Sequence, residues 1–139
     1  MNATVLAFVG YVFLTLTLLV AIVSSRTLIV MGGKKQPNEF KPDASDAEGS
    51  FLHRLTRAHA NVVECFPFMG GLLLLAIAMG KSVITDPLAL YLILARVAQT
   101  LTHLASTSAL AVQIRFAFFL VQVGICLFWC SKFISLMLG

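Results

Sequence analysis

Apolar positions fall along this chain in four long runs separated by short polar breaks. The first run covers about residues 3–31 and holds one charged residue, Arg26, near its end. A run of that length can cross a hydrocarbon core about 30 Å thick and exceeds the apolar core of a signal peptide. With no basic residue ahead of it, the spacing predicts a retained membrane helix. Gly32 and Gly33 stop it. Residues 34–50, KKQPNEFKPDASDAEGS, carry two prolines and seven charges, the composition of a solvated loop. A second run covers about 51–79 and ends at Gly80. Asp86 and Pro87 suit the cap and first turn of a third helix over about 87–107, and a fourth run covers about 111–138. The pattern predicts an all-α fold: a transmembrane antiparallel four-helix bundle forming one domain over 1–139, with a polar loop at 32–50.

Composition strengthens this reading. Hydrophobic residues make up 59% of the chain and charged residues 12%, and the mean hydropathy is +0.94. A soluble domain carries about a quarter charged residues. Cys65, Cys126 and Cys130 lie inside apolar runs with no CxxC pair and no histidine at ligand spacing, so they read as packing thiols, with neither a disulfide framework nor a metal site indicated. Four antiparallel spans put the first and third connections on one membrane face. That face receives Arg26, Lys34, Lys35, Lys41, Arg54, Arg57 and Arg115, whereas the other receives Lys81 and Lys132. The excess predicts a cytoplasmic first loop and both termini on the opposite side. The net charge of +4 is then a topological asymmetry, and no nucleic-acid patch is indicated.

Polar residues inside the spans form stripes. At roughly 100° per residue, Arg54, Arg57, Asn61 and Glu64 fall within an arc of about 80° on the second helix, and Phe68 joins them. On the third helix Arg96, Gln99, Thr100 and His103 recur at i, i+3, i+4 and i+7, and Thr107 continues the stripe. Arg115 stands near the start of the fourth, with Phe119 and Gln122 on a similar face. These groups converge on the cytoplasmic half of the bundle. Two readings of the stripes stand. Polar side chains glue spans together, and Arg26, Arg54 and Arg115 near helix ends can snorkel to the interface. Arg96 sits deeper, where an ionised group costs at least a few kcal/mol unless paired or hydrated, and Glu64 is the carboxylate a span offers it. Five arginines around one acid would favour an anion in their midst. Pro67 cannot donate to the carbonyl of Val63, which predicts a bend just beyond Glu64.

RLTRAHANVVECFPF, residues 54–68, resembles the signature of the MAPEG superfamily, the membrane-associated proteins of eicosanoid and glutathione metabolism. ARVAQTLTHLA at 95–105 and IRFAFFLVQ at 114–122 are similar to third- and fourth-helix segments of its prostaglandin E synthase branch. Four spans, a long polar first loop and total length agree. The resemblance implies a homotrimer with glutathione as co-substrate, bound between neighbouring subunits near the cytoplasmic face, and no metal. It implies that Asn61 and Glu64 hold the tripeptide, Glu64 at its α-amino group. By the same resemblance Arg54 and Arg57 line the pocket, Arg26 comes from the adjacent subunit, and Arg115 stabilises the thiolate as the catalytic group. Arg96, Gln99 and His103 complete the expected binding set. His103 can hydrogen-bond the glutathione backbone or cap its own helix.

Departures narrow the reaction. His53 stands where prostaglandin E synthase has an acid, Gln99 and His103 replace a histidine and a tyrosine, Phe116 and Phe119 replace a serine and a tyrosine, and Ala60 replaces an arginine of some members. Prostaglandin isomerisation is disfavoured. The expected activity is an integral-membrane glutathione transferase acting on hydrophobic electrophiles, with peroxidase activity on lipid hydroperoxides. The alternative is a non-catalytic lipid-binding or scaffold member of the same family, against which Asn61 and Glu64 speak. A four-helix drug exporter would need a carboxylate in the first span, and there is none.

Overall fold

A computed structural model describes residues 2–139. Four helices account for most of them: α1 (Ala3–Met31), α2 (Phe51–Ala78), α3 (Asp86–Ala105) and α4 (Ala109–Leu138). Each is long and apolar enough to span a membrane, and no strand occurs among the described residues.

Local chemistry explains where each helix starts and stops. Asn2 caps α1, its side-chain oxygen accepting from the Val5 N–H at 3.1 Å. Ser50 caps α2 through the His53 N–H, and Ser108 caps α4 through the Ala111 N–H. Gly33 and Gly80 adopt positive φ at the exits of α1 and α2, the left-handed geometry that costs glycine least. The third helix begins at Asp86, one residue before the sequence-based start, and stops at Ala105 because Ser106 is extended. Its start is fastened to α1: the Thr4 N–H and hydroxyl both donate to Asp86 Oδ1, at 2.8 and 2.7 Å.

The helices run alternately up and down. Apolar faces of α1, α2 and α3 meet around Tyr11, Val62, Met69, Leu73 and Leu92, while α4 contributes Cys126, Trp129 and Phe133. Gly10 brings α1 close to α3, since a Cβ there would already touch Ile93 at 3.4 Å. Large apolar side chains such as Phe13, Val20, Leu94 and Leu127 stay exposed on the outside of the bundle, as expected where lipid is the solvent.

Residues 34–50 are more than a solvated loop. Short 3-10 turns at Pro37–Glu39 and Ser45–Ala47 fold the segment back against the helices. Ala44 is buried in the left-handed region at φ 56°, and Phe40 packs on the core while the guanidinium of Arg26 lies over its ring at 5.4 Å. Lys35 pairs with Asp46. The Ser45 backbone N–H, donated to Asp43 at 3.0 Å, holds that exposed carboxyl below its usual range.

Candidate functional site

The start of α2, the end of α3 and the start of α4 meet at one end of the bundle, and a cavity of about 480 Å³ opens between them. Arg54, Arg57 and Asn61 reach it from α2, Gln99 and His103 from α3, and Arg115 from α4. His53, Thr107, Val112, Phe116 and Phe119 complete the wall. Three arginines and two histidines thus share a hollow whose lining contains no carboxylate. Phe116, Phe119 and Val112 make one side apolar. Such a chamber favours a ligand with an anionic part and an apolar part.

The arginines differ in how they are held. Arg54 is tied to the backbone, with Nε donating to the Leu104 carbonyl at 2.8 Å and Nη1 to the Gly49 carbonyl at 3.1 Å. Leu104 lies in the last turn of α3, so Arg54 satisfies a carbonyl that the helix leaves without a partner and pins the loop that precedes α2. Arg57 is exposed and Arg115 half-buried, and no hydrogen bond engages either guanidinium among the described residues. They are the cations free to meet a ligand. His53 reaches the Ala44 carbonyl at 3.3 Å, which brings the folded-back loop to the cavity's edge.

Beneath the cavity lies Arg96, with no exposed surface. Its Nη1 donates to Asn61 Oδ1 at 2.8 Å and to Gln99 Oε1 at 2.9 Å, its Nη2 approaches Met69 Sδ at 3.1 Å, and the Tyr11 ring lies 5.8 Å away. Gln122, buried on α4, donates to Gln99 Oε1 at 3.0 Å. The terminal nitrogens therefore meet amide oxygens and a thioether beside an aromatic face, Nε stays buried without a hydrogen-bond partner among the described residues, and Glu64, the carboxylate the sequence offers, takes no part. Amide carbonyls serve because a guanidinium needs acceptors in a fixed fork and does not require them to be charged.

Glu64 and Arg26 lie off the cavity. Glu64 is exposed on the outer side of α2. Taking Leu55, Ala58, Val62, Cys65 and Met69 as the core direction, Arg54 lies about 60° from it, Asn61 about 80°, Arg57 about 120° and Glu64 about 140°. One narrow arc therefore straddles the edge of the helix's buried face. Arg26 sits at the end of α1 beside Phe40, with Nη2 donating to the Lys41 carbonyl at 3.2 Å, and lines a separate hollow with Thr27, Val30, Met31 and Pro37. Of the nine candidate residues, the structure gathers six around one cavity, sets Arg96 under them, and leaves Glu64 and Arg26 outside.

Some participants escape a stripe-based reading. Tyr11 is buried, its hydroxyl donates to the Val62 carbonyl at 2.7 Å, and its ring faces Arg96. The available signal was a lone phenol in a first half of α1 that carries no charge. His53 and Phe116 also line the cavity, as do Thr107 and Phe119, which the polar stripes reach without assigning them a role; His53 stands one helical turn before Arg57 and Phe119 one turn after Arg115. A second, almost wholly apolar groove of about 340 Å³ lies between α1 and α2, formed by Val12, Thr15, Leu16, Val63, Phe66 and Pro67. No group of three or more His, Cys, Asp or Glu side chains among the described residues could hold a metal ion, and all three thiols are free.

A model described as the MAPEG family matches residues 4–134. No curated protein and no solved structure gives a significant match to the chain.

Proposed function

The chain belongs to the MAPEG family across nearly its whole length, and from that premise we propose that it is an integral-membrane glutathione transferase that also reduces lipid hydroperoxides. The observation that carries this reading is the cavity in which Arg54, Arg57, Arg115, His53 and His103 stand with no acid among them. Glutathione brings two carboxylates, one ammonium and a thiol. Its anionic part suits the cationic chamber, with Arg57 and Arg115 as the guanidinium groups that no protein acceptor occupies. Its ammonium calls for an acid, and Glu64 lies on the same helix one turn beyond Asn61. A tripeptide running from the cavity around the edge of α2 would meet both. It would then lie where a second copy of the chain packs, and Arg26, projecting at the same end of the bundle, is the cation such a copy would contribute. We infer a homotrimer on this ground. The excess of basic residues at this end orients the cavity to the cytoplasm and the termini to the opposite side.

The chemistry follows from the cation nearest the apolar wall. A thiol with a pKa near 8.5 is only about 3% ionised at pH 7. Each unit by which a neighbouring cation lowers that pKa is worth about 1.4 kcal/mol of thiolate stabilisation. Arg115 supplies the charge, the thiol proton leaves to water, and the sulfur lone pair forms a C–S bond to an electrophilic carbon lodged against Val112, Phe116 and Phe119, while a leaving group departs with its bond pair or, in conjugate addition, the displaced π pair takes a proton from water. A hydroperoxide would instead transfer its outer oxygen to sulfur, releasing an alcohol. A second glutathione then completes the disulfide and releases water.

The groove at Val12, Leu16, Phe66 and Pro67 favours a second reading, in which the protein holds an acyl chain without catalysis. Stopped-flow ultraviolet absorbance after mixing detergent-purified protein with glutathione separates the two. The transferase reading expects a thiolate signal that Arg115→Leu abolishes and Glu64→Ala weakens. Its absence in the unsubstituted protein at saturating glutathione would decide for the lipid-binding reading.

A further inference from the structure

We propose that Arg96 is a positioning residue: it turns the carbonyls of Asn61 and Gln99 into the bundle and so presents their two amide NH2 groups to the cavity as uncharged donors for a carboxylate or thiolate. Naming glutathione as the source of that anion rests on the function proposed above; the donor pair itself rests on geometry.

A guanidinium has donors and no acceptor, so any amide that meets it must offer oxygen. Arg96 Nη1 meets Asn61 at 2.8 Å and Gln99 at 2.9 Å. The orientation of both amides is thereby fixed by chemistry. Gln99 is locked twice, because its Oε1 also accepts from Gln122 Nε2, which in turn donates to the Phe118 carbonyl at 2.8 Å. Turning Gln99 over would set donor against donor at both contacts. Arg96 is wholly buried and does not line the cavity, whereas Asn61 and Gln99 do. With their oxygens held on the inner side, the nitrogens are left to the cavity side, where neither has a hydrogen-bond partner among the described residues. The charge of Arg96 has no carboxylate on it, and it polarises the two amides in the sense that strengthens them as donors.

The ligand class follows. A pair of NH2 groups in a chamber of arginines accepts an oxygen or sulfur anion and repels an ammonium. The floor should therefore take a carboxylate or the sulfur of the tripeptide, leaving its α-amino group to point away from the cavity.

Gln99→Glu and Asn61→Asp test the idea without removing Arg96 from its setting. Each is nearly isosteric and keeps an oxygen on the guanidinium, so the melting temperature is expected to hold or rise. Each also replaces a donor facing the cavity with an acceptor. Equilibrium titration of detergent-purified protein with glutathione should show affinity falling by about tenfold or more in each variant. A residue that merely braced the bundle would give unchanged or tighter binding, and that result in both variants would overturn the donor pair. Titration with a fatty carboxylate separates the two proposals. Weakened carboxylate binding in the variants, with no glutathione binding by the unsubstituted protein, would overturn the glutathione reading and keep the donor pair. Unchanged carboxylate binding in that same circumstance would overturn both.

Discussion

Around Pro67, which stands inside a continuous α2, single side chains decide how this helix packs against α1. Proline has no N–H for the Val63 carbonyl, and the neighbouring Val62 carbonyl accepts from the Tyr11 hydroxyl. The Tyr11 ring then packs edge-on against Phe66, centroids 5.7 Å apart, and Phe8 lies 6.2 Å from the same ring. Gly70 makes room for this cluster, because a Cβ there would clash with the Cδ2–Cε2 edge of the Phe66 ring. Gly70→Ala should therefore push Phe66 away from Tyr11 and into the apolar groove it helps to line. Overpacking of this kind costs about 1–3 kcal/mol, and thermal unfolding in detergent should fall accordingly. Phe66→Leu in the same chain should recover most of the loss, since the two sites share one volume; a double variant no more stable than Gly70→Ala would show that the ring is not what the methyl meets. At this scale the sequence displayed the polar residues but not their partners. Arg96 stood out as a deep cation, and Glu64 was its electrostatic match. The match failed because α2 turns Glu64 to the outer side, while two amides offered the guanidinium acceptors already on the facing stripes.

Among the elements, the four spans were legible because lipid solvent demands long apolar runs and the breaks carry Gly, Pro, Ser and charge. The segment at 34–50 was legible as a polar loop, but its folded-back course was not, because that order comes from tertiary partners: Phe40 under Arg26, Ala44 in a left-handed conformation, and carbonyls held by α2. Arg54 is the connection between that loop, α2 and α3. Its guanidinium joins the carbonyls of Gly49 and Leu104, so one side chain fastens the edge of the cavity on two sides. Arg54→Met keeps much of the stem's bulk and removes the donors. Hydrogen bonds from a charged group contribute about 1.5–3 kcal/mol. Faster amide hydrogen exchange is expected through residues 44–50 and the last turn of α3, with little change near Thr4 and Asp86 at the other end, where a separate set of hydrogen bonds holds α1 to α3. Uniform acceleration along the chain would mean that Arg54 stabilises the whole bundle rather than this corner.

The whole molecule leaves two ionisable groups without a place in its own cavity. Glu64 projects from the outer side of a span, beside the exposed Val63 and Pro67, and a carboxylate in contact with lipid costs several kcal/mol unless something covers it. Arg26 is the cation at the other edge, on α1, and its Nε is buried with no hydrogen-bond partner. Under the proposed trimer the two edges meet, so that each complete site draws Arg26 from one copy and the α2–α4 cavity with Glu64 from the next. This arrangement can be tested by mixing. Arg26→Gln and Glu64→Gln should each be nearly inactive in transfer to a hydrophobic electrophile. Where the two variants are co-produced in equal amounts and assemble at random, a site is intact only when its Arg26 side comes from a Glu64→Gln copy and its cavity from an Arg26→Gln copy. About a quarter of the sites meet that condition. Activity should rise to roughly that share of the unsubstituted protein's. Were each chain to hold its entire site, no mixture could exceed the single variants, and the separation of Glu64 and Arg26 from the cavity would then be a feature of the isolated fold with no catalytic meaning.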